Sequence, residues 1–199
     1  MKAVDKKELR QIVLERRNAL SFEERGSLSE AVLGNLFKVP EFAEAGTIFF
    51  YVNFRSEVGT LSGIGRTLSE GKLVAVPYCV LEERRLNFVQ IKDVERDLVE
   101  DAYGILEPKP SLRHTRRVPL ERADVVLFPG SVFDRSGGRM GYGAGYYDKT
   151  FGKVRKPLFI ALAFDFQVLP PGELVPMAEH DVSIHKIVTE KKVYECRKP

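Results

Sequence analysis

Apolar residues recur at two different spacings along this chain, and the changes of spacing mark its elements. Leu9, Ile12 and Val13 share one side of a helical wheel, which predicts a helix from Asp5 to about Leu20. Lys6, Arg10, Val13 and Arg17 gather on the neighbouring face, because residues three and four apart stack on a helix. Ser21-Phe-Glu-Glu24 has the form of a capping box and opens a second helix. Leu28, Val32 and Leu36 form its buried edge, and it stops near Pro40. Thr47–Val52 (TIFFYV) is aromatic and β-branched, the mark of a buried strand. Thr60 to Glu70 reads as a helix closed by Gly71. Further strands are predicted at Leu73–Pro77, Leu86–Ile91, Asp124–Phe128 and Ser131–Asp134. Leu158–Phe164 reads as a central strand and Ile187–Val188 as a late edge strand. A short helix begins near Gly145. Asp101–Pro110 is rich in turn residues and reads as loop, as does the basic, proline-bounded stretch 109–122.

Strands alternating with helices predict an α/β fold, a three-layer α/β/α sandwich around a mixed, mostly parallel sheet. Right-handed crossovers would put helices on both faces. At 199 residues, one domain spanning 1–199 is expected. Thirty-one basic against twenty-eight acidic residues leave a net charge of +3, which suits anionic ligands without demanding nucleic acid. Cys79 and Cys196 form no CxxC pair, so neither a disulfide scaffold nor a thiolate zinc site is expected, and Cys79 reads as a small buried side chain. His114, His180 and His185 lack metal-ligand spacing. No apolar segment follows the N-terminus, and the apolar run at 157–166 is shorter than the ~20 residues needed to span a bilayer. A cytoplasmic protein with no membrane partner, a monomer or weak dimer, is the expectation.

The strongest local signal is Ser136-Gly-Gly-Arg-Met-Gly-Tyr-Gly-Ala-Gly-Tyr-Tyr-Asp148. Gly141, Gly143 and Gly145 alternate between a β region and a helix, where glycine allows close backbone approach and positive φ. Arg139 adds a planar cation suited to phosphate oxygens, and Asp148 a carboxylate suited to a metal bridging phosphates. The segment is not a Walker A loop, and its GxGxG spacing is not the dinucleotide fingerprint. The residues alone point to a phosphate-binding loop, with a nucleotide as the foremost ligand.

Arg139-Met-Gly-Tyr-Gly-Ala-Gly-Tyr-Tyr-Asp148 resembles the nucleotide loop of the 5-formyltetrahydrofolate cyclo-ligase family. Other segments of the chain resemble that family in the same order: Lys6-x-x-x-Arg10, Glu57-Val-Gly-Thr60, Gly104-Ile-Leu-Glu-Pro108 and Phe128–Asp134. Phe164–Gln167, Glu179-His-Asp181 and Ile187–Glu190 follow. The chain departs from the family pattern at His185, where an aspartate is usual, and at Ala144, where glycine or lysine is common.

The resemblance implies ring closure of 5-formyltetrahydrofolate to 5,10-methenyltetrahydrofolate, driven by ATP and Mg2+ through a phosphorylated formyl intermediate. It implies that Lys6, Arg10, Arg139, Gly141, Gly143, Ala144, Gly145 and Tyr147 hold ATP. Val52, Glu57 and Tyr146 would hold the folate, Glu57, Arg139 and Tyr146 would serve catalysis, and Asp148 and Asp181 would hold magnesium. Each residue also has a plainer reading. Lys6 and Arg10 alone would be a solvated helix face, Tyr147 a core aromatic, Glu57 and Asp148 helix-terminal acids, and Asp181 a loop acid. Three other readings compete. One is a different phosphate-handling α/β enzyme, such as a sugar-phosphate isomerase. A second is a non-catalytic relative that only binds nucleotide or folate. The third is nucleic-acid binding by Lys109, Arg113, Arg116, Arg117 and Arg122, which no recognition motif accompanies.

Overall fold

The computed structural model describes residues 6–101 and 104–196. Asp5, the expected start of the first helix, lies outside the described residues, as do 102 and 103 of the expected 101–110 loop. Three helices open the chain: α1 (Lys6–Asn18), α2 (Phe22–Leu36) and α3 (Pro40–Glu44). The capping box of α2 is formed as expected, with the Ser21 hydroxyl taking the Glu24 amide at 3.1 Å and Glu24 taking the Ser21 amide at 2.8 Å. Pro40 does not end α2. The helix has already stopped at Leu36, and Pro40 opens α3, a position where its missing N–H costs nothing.

Then come β1 (Thr47–Phe49), α4 (Leu61–Ser69), β2 (Leu73–Val80), β3 (Arg85–Ile91), α5 (Val94–Asp97), β4 (Leu98–Glu100), β5 (Leu106–Pro108) and β6 (Arg117–Val118). The second half supplies β7 (Val125–Phe128), β8 (Val132–Phe133), β9 (Arg139–Met140), α6 (Tyr146–Phe151), β10 (Leu158–Leu162), β11 (Lys186–Val188) and β12 (Val193–Glu195). The main sheet runs β12-β11-β10-β7-β1-β2-β3-β6. Its inner pairs, from β11 to β2, are parallel, and β2/β3, β3/β6 and β11/β12 are antiparallel.

Alternation along the strands sorts the core into two layers. Ile48, Leu127 and Ile160 face α2, α3 and α4 through Leu36, Phe42 and Ile64. Phe49, Phe128 and Phe159 face the opposite side, where Phe151 of α6 packs with Val182 and Ile184. The α/β architecture with a mixed, mostly parallel sheet is as expected. The second outer layer is mostly irregular chain around one short helix.

Four local expectations are corrected. Leu106–Pro108, read as loop, is a strand paired with Leu98–Glu100. The 109–122 stretch contains the short strand β6 as well as 3-10 turns. Ile187 and Val188 are not at the edge, because Val193–Glu195 pairs outside them. Cys79 is exposed, since β2 continues past Pro77 into a long hairpin with β3.

Gly137, which packs against the Ile184 backbone, and Gly138 serve the fold. Asp134 is buried and accepts the amides of Ser136, Gly138 and Val175 at 2.7, 3.0 and 2.7 Å. A Cβ on Gly138 would stand 2.1 Å from Asp134 Oδ2. Gly138→Ala is therefore expected to destabilise the protein by about 2–3 kcal/mol, the cost of overpacking, as a lower urea midpoint. An unchanged midpoint would contradict this tight turn.

Candidate active site

The candidate site is a cleft beyond the C-terminal ends of β1, β2 and β7. The chain leaves β1 for β2 on one side and later places β7 on the other, which makes this a topological switch point, where parallel α/β sheets bind ligands. The cleft encloses about 1230 Å³. A pocket for a single drug-sized ligand holds roughly 300–1,000 Å³, so this one has room for two substrates side by side.

All thirteen residues singled out from the sequence line this one cleft: Lys6, Arg10, Val52, Glu57, Arg139, Gly141, Gly143, Ala144, Gly145, Tyr146, Tyr147, Asp148 and Asp181. They come from α1, the loop after β1, the segment from β9 into α6, and the chain before β11. Among the departures from the family pattern, Ala144 is exposed at the cleft. His185 is turned to the sheet, where its Nδ1 accepts the Phe159 amide at 2.8 Å.

Arg139 is almost wholly buried. Its Nη2 pairs with Asp148 Oδ1 at 2.7 Å, and its guanidinium lies 5.4 Å from the Phe128 ring centre. Its Nε is buried without a hydrogen-bond partner, and so is Nε of Arg10 on α1. Buried donors are nearly always satisfied, so two arginines with unpartnered Nε atoms lining one cleft mark a place for an anion. A Cβ on Gly141 would approach Arg139 Nη1 to 2.9 Å, so the glycine leaves room for that guanidinium. Gly143 and Gly145 take φ of +99° and +70°, which other residues rarely adopt.

Asp148 Oδ1 also accepts the Val182 amide at 3.0 Å, which brings the neighbouring Asp181 to the same side of the cleft. Asp181 Oδ2 takes the amide of Ala178 at 2.8 Å. No cluster of three or more histidine, cysteine or acidic side chains suited to a metal occurs among the described residues. Magnesium binds through one or two carboxylates plus substrate phosphates, so Asp148 and Asp181, lining the same cleft, fit that ion.

Glu57 sits in the loop after β1, which Thr60 folds back. The Thr60 hydroxyl donates to the Tyr51 carbonyl at 2.9 Å, and its amide donates to Asn53 Oδ1 at 3.0 Å. The carboxyl of Glu57 is 7% exposed and accepts the Phe54 amide at 2.8 Å. Burial raises its pKa above the ordinary carboxyl value, against the opposing pull of the Phe54 amide and the nearby Arg17 guanidinium. Tyr147, expected either on the nucleotide or in the core, packs its ring against Phe128 at 5.0 Å while lining the cleft.

Arg17 and Tyr142, which meet in the site, were given no role from the sequence. Arg17 is 3% exposed and donates to Ser56 Oγ at 3.0 Å, to the Gly130 carbonyl at 3.2 Å and to the Tyr142 hydroxyl at 2.8 Å. Its place on the Lys6–Arg10–Val13 face was visible, but its partners are distant in sequence. Elsewhere, Arg113 and Arg116 of the basic stretch pair with Glu107 and Asp97 at 3.0 and 2.8 Å. No helix among the described residues is long and apolar enough to cross a membrane.

Known proteins share this architecture. A solved 5,10-methenyltetrahydrofolate synthetase from Aquifex aeolicus superposes with a TM-score of 0.81 at 34% identity, over 97% of this chain and 93% of that one. A 5,10-methenyltetrahydrofolate synthetase from Mycoplasma pneumoniae shares the fold with a TM-score of 0.73 at 20% identity, over 94% of this chain and 99% of that one. The 5-formyltetrahydrofolate cyclo-ligase of Escherichia coli K12 is 29% identical over 187 residues, covering 92% of this chain and all of its own. A probable 5-formyltetrahydrofolate cyclo-ligase of Caenorhabditis elegans is also 29% identical, over 93% of this chain and 92% of its own. The sequence profile of the 5-formyltetrahydrofolate cyclo-ligase family matches residues 2–190, and the chain belongs to that family.

Proposed function

We propose that the protein closes 5-formyltetrahydrofolate to 5,10-methenyltetrahydrofolate with ATP and Mg2+, releasing ADP and phosphate. One observation carries this reading beyond family membership. A single cleft holds two arginines, the buried Arg139 and the half-buried Arg10, each with an unpartnered Nε, together with two carboxylates suited to magnesium and a buried carboxyl with a raised pKa.

The chemistry explains why such a set is needed. A formamide oxygen is a poor leaving group. Transfer of the γ-phosphoryl group to that oxygen forms an O–P bond, breaks the bond to ADP, and turns the oxygen into part of a phosphate ester. The N10 lone pair then attacks the formyl carbon. N10 loses its proton, the C–O bond breaks, phosphate departs, and the five-membered methenyl ring remains.

Lys6, Arg10 and Arg139 hold the triphosphate and offset its charge, since phosphoryl transfer needs mainly positioning and electrostatics. Gly141, Gly143, Ala144 and Gly145 let the backbone come close to the phosphates. Asp148 and Asp181 hold magnesium, which when bound neutralises charge on the phosphates. Val52 and Tyr146 line the folate side of the cleft, and Tyr147 backs Arg139. Glu57 orients the folate and accepts the N10 proton, and its raised pKa makes it a better base than an exposed carboxylate.

Substrate carrying oxygen-18 in its formyl group tests the intermediate. The released phosphate is expected to carry that label, one atom per turnover. Label retained in the folate or found in water would contradict the phosphorylated formyl group.

A further inference from the structure

Tyr78 is on β2, the neighbour of β1, and lines the cleft half-buried. Arg113 covers one face of its ring, with the guanidinium carbon 4.6 Å from the ring centre, and does not itself line the cleft. Arg113 is fixed in turn. Its Nη2 pairs with Glu107 Oε2 at 3.0 Å, and its Nε donates to the Pro108 carbonyl at 3.1 Å. The other oxygen of Glu107 accepts the Cys79 amide at 3.1 Å, which ties this support back to β2. At the tip of the ring, the Tyr78 hydroxyl accepts from Asn87 Nδ2 at 3.1 Å. The ring is thus held at one face and at its tip, and the other face is left to the cleft.

A ring fixed in this way is a stacking surface that gives up little freedom when a planar group settles on it. Its surroundings are apolar: Pro77 precedes it, and Ile105 and Leu106, at the start of the β5 strand that packs on β2, also line the cleft. Such a wall suits the aminobenzoyl ring of a folate, which carries only C–H groups between its two substituents. It does not suit the pterin, whose amide and amino groups need hydrogen-bond partners that an apolar wall lacks. The order along the hairpin agrees. N10, next to which Glu57 stands in the proposed reaction, is bonded to the aminobenzoyl ring, and the glutamate follows that ring. Tyr78 pairs with Asn87, and two pairs further out Val80 pairs with Arg85. Residues two apart on a strand share a face, so Arg85 lies on the side of Asn87 and Tyr78. Arg84 and Arg85 both line the cleft, exposed, where the carboxylates of a glutamate would end.

We propose that Tyr78 is a folate-binding residue on whose open face the aminobenzoyl ring stacks, with N10 directed back to Glu57 and the glutamate out toward Arg84 and Arg85. Arg113 and Glu107 are positioning residues that hold the Tyr78 ring from behind. The proposal rests on the cyclo-ligase reading of the cleft.

Proton NMR of 5-formyltetrahydrofolate bound to the full chain tests this, because the ligand carries two reporters. Stacking puts the aminobenzoyl protons over the face of the Tyr78 ring, so their signals are expected to move upfield on binding. In Tyr78→Leu, which keeps an apolar side chain and loses the ring, that movement is expected to vanish, while the formyl proton shifts as in the unaltered protein. By calorimetry, folate affinity is expected to fall about 10-fold in Tyr78→Leu and to stay within about 2-fold in Tyr78→Phe, which keeps the ring. Affinity for a non-hydrolysable ATP analogue is expected to stay unchanged in both variants. Aminobenzoyl signals that do not move upfield in the unaltered protein would overturn the proposal without any variant. So would an upfield movement retained in Tyr78→Leu, or folate affinity in that variant equal to that of the unaltered protein. A loss in Tyr78→Phe as large as in Tyr78→Leu would make the hydroxyl the contact and would also overturn it. In each of these cases folate still binds and the cyclo-ligase reading stands. Failure of the unaltered protein to bind folate would overturn that reading and the proposal together.

Discussion

Asp148→Asn is expected to lower turnover at saturating ATP and folate by about 100-fold or more, the range seen when a group facing developing charge is removed. The substitution keeps the shape of the side chain. Its amide oxygen can still accept from Val182, as Asp148 does at 3.0 Å, and from Arg139, as Asp148 does at 2.7 Å. What disappears is the negative charge beside Arg139 and one of the two carboxylates proposed to hold magnesium. Loss of one charge-assisted bond to buried Arg139 costs about 2 kcal/mol, so a cooperative melt at a somewhat lower temperature should persist. Turnover measured against magnesium concentration, next to the melting curve, separates the two effects. Full activity with an unchanged magnesium dependence would remove Asp148 from the site.

Glu57→Gln is expected to act in opposite directions on stability and on activity. The folded-state pKa of Glu57 is raised above 4.5, mainly by burial. Well below pH 4.5 the carboxyl is protonated whether the chain is folded or not, so its neutral form is accommodated without penalty. As pH rises through the folded pKa, the buried group must ionise, and the stability it contributed is lost. Glutamine never ionises. The variant should therefore melt higher than the unaltered protein at pH 8, with the gap narrowing as pH falls and closing below pH 4.5. Turnover should move the other way. A hydrogen bond to a charged group contributes about 1.5–3 kcal/mol, so kcat/KM for the folate should fall by about 10- to 100-fold. The ATP dependence should change far less. Equal losses for both substrates, or a gap in melting temperature that does not vary with pH, would contradict the place given to Glu57.

Local patterns carried much of this structure. The Ser21–Glu24 box, the strand expected at 47–52, of which 47–49 is strand, and the alternation through β7 and β10 need only near neighbours, and they were legible as periodicity and capping. The loop expected at 101–110 was misread for a reason of the same kind. Leu106–Pro108 has a turn-rich flank and is only three residues long, and its pairing with Leu98–Glu100 supplies what its own sequence does not. Cys79 was expected inside because β2 was expected to end at Pro77. Seven cross-strand pairs with β3 carry the hairpin on to Val80 and leave Cys79 at the cleft.

The site followed the same division. Arg139, Asp148 and the alternating glycines lie within ten residues of one another and were visible as a set. Lys6, Arg10 and Glu57 took on roles only through the family resemblance. The structure brings them to the same cleft because α1 packs Val13 on Val132 and Met140 of the small β8/β9 hairpin, and β1 ends just before the Glu57 loop. Arg17 lay on the right helix face, yet its partners Ser56, Gly130 and Tyr142 are 39, 113 and 125 residues away, and no local pattern reports such contacts. Gly137 and Gly138 looked like part of the phosphate loop. Their close approaches to Ile184 and Asp134 make them parts of the fold.

The measurement that bears most directly on the central claim is turnover by the purified full chain. It would receive 5-formyltetrahydrofolate, ATP and Mg2+, with the near-ultraviolet absorbance of the methenyl product followed over time. The account predicts a rise that requires all three components, with one ADP formed per product. Absorbance that stays flat with all three present, in protein shown to be folded, would contradict it.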